Sequence, residues 1–352
     1  MLPGATKNVT NNKTQNKSVM KRKLLTGLFA LCVTSLLAQS ELINLRVEAR
    51  ADYQREYVDD KKIDENNGFK GKYLIIRMDG SLGEGFTYSY RQRLNKAHSD
   101  QSYFDATDWI TLTYTTGNWS ISGGKQVVAI GGYEYDQAPI DVYFASEYWN
   151  NIPCYQLGAS LTWKNKKGSD SFTAQVTQSP FKANAGDMYA YNVMWCGSHG
   201  WFNTIYSANL IEYLPGKYIS YIALGNKFNV GEVTIVADIM NRASSDHTFI
   251  GKNITAIGEI SWMPTDRINI LAKATYDVNN TNAAADMGVA PGIEVTRVGA
   301  GIEFFPMSNG SKDIRLHANA CYTFGNGTGA LLDKQSIFDA GLTWRINLLN
   351  KK

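Results

Sequence analysis

Side chains able to do covalent chemistry are few in this sequence and poorly grouped. Four His occur in 352 residues, and two of them stand near an acid: His247 follows Asp246, and His98 lies two residues before Asp100. An Asp that orients a His is half of a hydrolytic apparatus, so a loop-borne protease dyad is one chemistry such a chain could hold. No nucleophile motif accompanies either pair, and the residues do not read as an enzyme. Gly251-Lys252 lacks the glycine spacing and the following Ser or Thr of a phosphate-binding loop. Cys154, Cys196 and Cys321 are too widely spaced for a metal motif or a disulfide framework, so no cofactor or metal is expected.

A second kind of chemistry is electrostatic, and it is periodic. Between Ile43 and Tyr53 the odd positions are apolar and the even ones are Asn44, Arg46, Glu48, Arg50 and Asp52. Side chains of a strand point alternately to its two faces, so one face here is greasy and the other charged. No helix separates residues this way. The pattern returns at Phe86–Arg91, Tyr155–Trp163, Glu232–Ile239, Ile268–Asp277, Ile314–Thr323 and Phe338–Asn347. Collected over all strands, the charged face carries Arg46, Arg50, Arg77, Arg91, Arg93, Lys273, Arg297, Arg315 and Arg345. Against them stand Glu48, Asp52, Asp79, Glu232, Asp238, Glu259, Asp277, Glu303 and Asp339, nine of each sign.

The elements that position these rows follow from composition and spacing. The chain has 31 Gly, 8 Pro, 20 Tyr, 14 Phe and 8 Trp, with 19% charged residues, which excludes a disordered or collagen-like chain. Residues 1–38 are distinct: six positive charges and no acid precede or join an apolar run from Leu24 to Ala38. That describes an export leader, with Met20 as the natural start, cleavage after Ala38, and Cys32 as an apolar residue within it. The rest, residues 39–352, carries 35 − 6 = 29 basic against 32 acidic residues, so the basic balance vanishes and no nucleic-acid partner is expected. Beyond residue 38 no apolar run approaches the roughly 20 residues that a spanning helix needs.

Connections alternate in length. Short ones at 82–85, 116–118, 165–169, 263–267 and 306–312 interleave with long ones at 56–69, 95–105, 131–152, 180–187, 244–251, 279–292 and 325–334. Strict alternation is expected of up-and-down strands with turns on one rim and loops on the other. The strand count is about 16, with the least regular patterning at 201–213 and 218–228. Aromatics sort by rim: Phe86, Trp119, Trp163, Trp195, Trp262, Phe304 and Trp344 fall at short-turn ends. Tyr53, Tyr90, Tyr155, Tyr189, Tyr276, Tyr322 and Phe338 fall at long-loop ends. Two aromatic belts around an apolar band match the two interfaces of a bilayer. Lipid cannot satisfy backbone N–H and C=O groups, so such strands must close into a ring. The expected fold is all-β, a transmembrane antiparallel up-and-down barrel in a bacterial outer membrane, with lipid outside and water within.

The stretch from Trp119 to Trp163 resembles the phosphate-selective porin O and P family in three pieces: W-S-I-S-G-G-K-Q, Y-E-Y-D-Q-A-P-I-D-V-Y-F and Y-Q-L-G-A-S-L-T-W. The resemblance implies a 16-strand barrel, a homotrimer, and passive diffusion of small hydrophilic solutes or ions, anions such as phosphate among them. It also implies that the loop after the first piece folds inward and sets a constriction. The family's phosphate selectivity rests on dense pore-lining Arg and Lys, from which the balanced rows here depart; they imply a transverse field. Glu134, Asp136, Asp141 and Glu147 in the 131–152 loop are expected to face Arg46, Arg77, Arg91 and Arg93, with Arg297, Arg315 and Arg345 also lining the pore. Lys125 has the parity of the lipid side, and a bulge at Gly123-Gly124 would turn it inward. The alternatives are a closed structural or adhesive barrel, and a rim protease using the loop Asp/His pairs.

Overall fold

The computed structural model describes residues 42–95, 103–181, 187–244, 251–281, 285–326 and 334–351. Residues 1–38, expected to be an export leader and including Cys32, and His98, Asp100, Asp246 and His247 lie outside them. Strands β1 (Leu42–Val58), β3 (Gly68–Gly83), β4 (Phe86–Arg93), β5 (Thr107–Thr116) and β6 (Trp119–Val127) open the sheet, with a two-residue rung β2 (Lys61–Lys62). There follow β7 (Tyr155–Lys164), β8 (Asp170–Gln178), β9 (Tyr189–His199), β10 (Phe202–Leu214), β11 (Lys217–Val230) and β12 (Val233–Ser244). The last are β13 (Asn253–Thr265), β14 (Ile268–Asn279), β15 (Glu294–Phe304), β16 (Ile314–Asn326) and β17 (Gln335–Lys351). Each long strand pairs antiparallel with its neighbour in sequence, and β1 pairs with β17 from Ile43↔Lys351 to Val58↔Gln335. Sixteen long strands thus close into one barrel with no free edge, as backbone groups in hydrocarbon require.

The period-two pattern decides which face meets which solvent. Ile121, Val193, Ile239, Ile260, Ile302 and Leu316 project outward and are exposed, while Glu48, Arg50, Asp52, Asp277 and Arg315 are buried inside. Aromatics join the outer face into rows. Trp119 lies opposite Trp163, Trp163 opposite Phe172, Phe172 opposite Trp195, and Trp195 opposite Tyr206, across five successive strands near the short-turn rim. Phe172 and Trp195 stack with planes 7° apart. Such cross-strand pairs are the unit of sheet stabilisation.

The structure departs from the expected alternation of connections at one place. β10 and β11 are joined on the long-loop rim by Pro215-Gly216 alone. Gly216 has φ +71°, the conformation that the position after Pro requires in a type II turn. Glu212 holds this turn, its carboxylate accepting from Gly216 N at 2.6 Å and from Tyr189 N at 3.0 Å. A register shift between Glu212 and Leu214 accompanies this arrangement. Glu232, expected on the charged face, instead occupies the exposed β11–β12 turn.

The irregular patterning of β10 and β11 also has a physical cause. Their inward residues Ile211, Ile219, Tyr221 and Ala223 do not face water. They pack against Val128, Ile130, Tyr135 and Tyr148 of one long connection, Phe181 of another, and Ala285, Val289 and Ile293 of a third. An apolar cluster thus fills the inside of the barrel beside these residues, so this part of each strand is apolar on both faces, while Ser207 and Asn209 keep the inner face of β10 polar further along.

Candidate functional site

The connection between β6 and β7 lies inside the barrel, and its sequence fixes its path. After Val127 it runs along the inner wall, where Ala129 N donates to Gln175 Oε1 at 2.7 Å and Gly131 N to Ser207 Oγ at 2.8 Å. A Cβ on Gly131 would stand 2.7 Å from the Ile205 carbonyl oxygen, so only glycine lets the backbone approach this closely. Gly225 on the facing wall meets Gly132 in the same way. Two short helices follow, Tyr133–Asp136 and Glu147–Asn151. Each has a wall carboxylate at its N-terminus, where unpaired N–H groups favour negative charge. Asp238 Oδ2 accepts from Glu134 N at 2.8 Å. Asp277 accepts from Glu147 N at 2.8 Å and Tyr148 N at 3.3 Å, and Ser146 Oγ caps the second helix by accepting from Trp149 N at 3.1 Å.

The loop's own carboxylates meet the opposite arc of the wall. Glu134 pairs with Lys273 at 2.7 Å, both buried, and also accepts from Ser146 N at 3.0 Å. Asp141 joins Arg315 at 3.0 Å and Arg345 at 2.6 Å, and Glu147 joins Arg297 at 2.7 Å. Arg315 also reaches Glu303 at 3.1 Å, and the Tyr143 hydroxyl donates to Glu303 at 2.5 Å. At the tip, Arg50 donates to the Val142 carbonyl at 2.7 Å. Asp136 is exposed to the cavity; partial desolvation by the surrounding loop and wall raises its carboxyl, and the charge of Lys227 opposes this.

These pairings correct the expected ones. Among the described residues Arg46, Arg77, Arg91 and Arg93 form no ion pair with the loop acids, although Asp136 borders the same cavity as Arg77 and Arg91; they pair with acids of their own wall. Arg46 joins Glu48 at 2.5 Å, Arg77 joins Asp79 at 2.7 Å, and Arg91 and Arg93 share Asp108 at 3.4 and 3.0 Å. The loop leaves β6 along β8 to β12 before its tip reaches β1 and β16, so its acids come up against the cations of β14 to β17. Lys125 is a second correction. The β5–β6 and β6–β7 ladders run without a register shift, Lys125 standing opposite Ile110 and Leu157, both exposed. No bulge turns it; its ammonium is buried because the segment Tyr103–Ala106 covers it, Nζ lying 3.2 Å from the Phe104 carbonyl. The roles of Asp108, Asp238 and Asp277 as loop and wall anchors have no local sequence signature, since their partners are backbone groups or residues of other strands.

The loop divides the lumen. On the β3–β10 side lies a cavity of about 370 Å³ lined by Arg77, Arg91, Trp109 and Tyr155 among others, next to one of about 600 Å³ that shares Pro139, Trp149, Cys154 and Tyr155 with it. On the other side a space of about 190 Å³ is bordered by Asp141, Glu259, Lys273, Glu303 and Arg315. Two His–acid pairs are described: His317 Nε2 lies 3.0 Å from Asp52 Oδ1, both buried inside the wall, and His199 Nε2 lies 3.1 Å from Asp170 Oδ1 on the short-turn rim, where Asp170 also accepts from Ser169 and Trp195. No Ser or Cys bonds either imidazole among the contacts of the described residues.

A closed sixteen-strand barrel is the fold found in solved porin structures. Residues 43–204 match the family of phosphate-selective porins O and P. That is somewhat less than half of the chain, and it takes in the first eight long strands and the inward loop. The whole barrel is similar to solved outer-membrane barrels. An anion-selective porin from Comamonas acidovorans superposes with a TM-score of 0.60 at 10% identity, covering 87% of this chain and 100% of that one. OmpF of Salmonella typhi, in complex with daunomycin, gives 0.59 at 14%, covering 87% and 98%. The outer-membrane protein OmpT of Vibrio cholerae, in its trimer form, gives 0.56 at 12%, covering 88% and 100%. At such identities the likeness is one of fold. No curated protein matches the chain in sequence.

Proposed function

We propose that this chain is a passive porin of a bacterial outer membrane, exported by the leader in residues 1–38 and assembled as a homotrimer. Small hydrophilic solutes and ions diffuse through the hydrated part of the lumen, past the loop, with no covalent step and no cofactor. The pore-lining set is Arg46, Arg77, Arg91, Arg93, Arg297, Arg315 and Arg345 on the wall and Glu134, Asp136, Asp141 and Glu147 on the loop; Lys125, which keeps the outer-face parity, borders only the edge of the larger cavity. The observation that carries this reading is the charged loop held across the inside of a closed barrel by Lys273, Arg297, Arg315 and Arg345. Charges fixed on opposite sides of a narrow aqueous gap act on a passing ion and let neutral solutes through by size. The family match and the trimer form of a fold relative support the membrane and oligomer assignments.

Liposome swelling with sugars of graded size tests this directly. Swelling that falls off with solute size is expected, and vesicles that take up none of them refute the porin reading. The apolar cluster that occupies the lumen along β10 and β11 favours a second reading, a barrel closed to solutes whose loops bind a surface partner. The same absence of flux would select it.

A further inference from the structure

We propose that the passage between the inward loop and the β3–β7 wall is a binding site for small organic monoanions, a carboxylate on an apolar body. The proposal rests on the porin reading and names a solute class for it. The two cavities on this side, about 370 and 600 Å³, share Pro139, Trp149, Cys154 and Tyr155 and so form one path. Its wall carries cations in a column: Arg93 and Arg91 alternate on β4, and Arg77 stands opposite Arg91. Three guanidiniums face two carboxylates, Asp79 and Asp108, leaving one net positive charge. Asp136 also borders the path and is offset by Lys227.

Arg91 supplies the second, independent observation. It is 5% exposed, lines the cavity, and its Nε and Nη2 groups make no hydrogen bond. Its Nε faces Asp108 Oδ2 at 3.4 Å, an acid that Arg93 also engages, so Nη2 is the donor left open. A buried guanidinium with an open donor costs stability unless something accepts from it. The rest of the path says what kind of anion fits. Trp109 lies under Arg91, 4.8 Å from centroid to Cζ, with the Tyr155 ring 5.9 Å further along. The loop side is mostly apolar, with Val128, Ile130, Ala138, Pro139 and the Trp149 ring, and its polar groups are Tyr135, Asp136, Gln137 and Asn150.

A phosphate dianion would shed several water molecules here for too few donors. A carboxylate spreads one charge over two oxygens that match the guanidinium fork, and an apolar body gains from the rings and aliphatic wall. The test is planar-bilayer recording of the full chain in KCl with benzoate, acetate or inorganic phosphate added. Benzoate is expected to reduce the chloride current at concentrations at least about tenfold below those at which phosphate or acetate does. Arg91→Gln is expected to raise the half-blocking benzoate concentration about tenfold, the effect of one lost charge-assisted hydrogen bond. Benzoate that blocks no better than acetate or phosphate overturns the proposal, and the wild-type comparison decides this even if the variant fails to assemble. A bilayer that shows no current at all refutes the porin reading itself, a distinct result.

Discussion

Replacing Asp277 with Asn should loosen the loop without altering the barrel. Asp277 is fully buried on β14 and accepts three hydrogen bonds, from Glu147 N at 2.8 Å, Tyr148 N at 3.3 Å and Thr255 Oγ1 at 2.6 Å. Asn keeps the volume and one acceptor oxygen, but turns an amide donor toward groups that are themselves donors. Charge-assisted bonds contribute about 1.5–3 kcal/mol each, so losing one and weakening another costs the docked loop roughly 3 kcal/mol. That is on the order of a hundredfold in the ratio of docked to released loop. Glu147 keeps its 2.7 Å contact with Arg297, so release is partial, not complete. Single-channel recording is the assay. The variant is expected to show noisier current with added sublevels, and its loop should be cut by protease added from the long-loop side. Unchanged current noise and unchanged protease resistance in a correctly assembled variant would mean that Asp277 does not hold the helix Glu147–Asn151.

Three further outcomes follow from the same geometry. Gly225→Val places a Cβ where Gly132 Cα would stand 2.7 Å away, so the loop must shift, and sugar-flux size cut-off in liposomes should change. Ile239→Arg puts a charge on the outer face of β12, at roughly 2–4 kcal/mol near the bilayer midplane; assembly yield in lipid vesicles should fall, and an unaffected yield would refute the lipid-facing assignment. Because partial desolvation in the cavity raises the Asp136 carboxyl, it takes up its proton before ordinary carboxylates as pH falls. The passage then loses a negative charge, so the anion-to-cation permeability ratio from reversal potentials should rise on acidification, and Asp136→Asn should reduce that rise.

The barrel was legible because lipid imposes a strict condition on each strand. Every residue such as Ile121, Ile302 or Leu316 must be apolar, and its neighbours need not be, so period two survives in the sequence. Legibility ended where the inside of the barrel is not water. Ile219, Tyr221 and Ala223 of β11 pack against folded-in loops, and there the alternation disappears for the same reason it appears elsewhere. The site follows a similar rule. That Glu134, Asp141 and Glu147 sit near cations could be read from a loop placed inside a charged wall. Which cations could not, because the path is set by contacts remote in sequence: Gly131 against Ile205, Gly132 against Gly225, and the helix ends on Asp238 and Asp277. Sequence alternation reports the solvent on each side of a strand, whereas the route of a loop across that solvent depends on a few close approaches that leave no period behind. The Arg91–Asp108–Arg93 cluster shows the consequence. Left on its own wall by the loop's route, it is one carboxylate short of neutrality, and that imbalance gives the β3–β7 side of the lumen a chemistry different from the acid-bordered side across the loop.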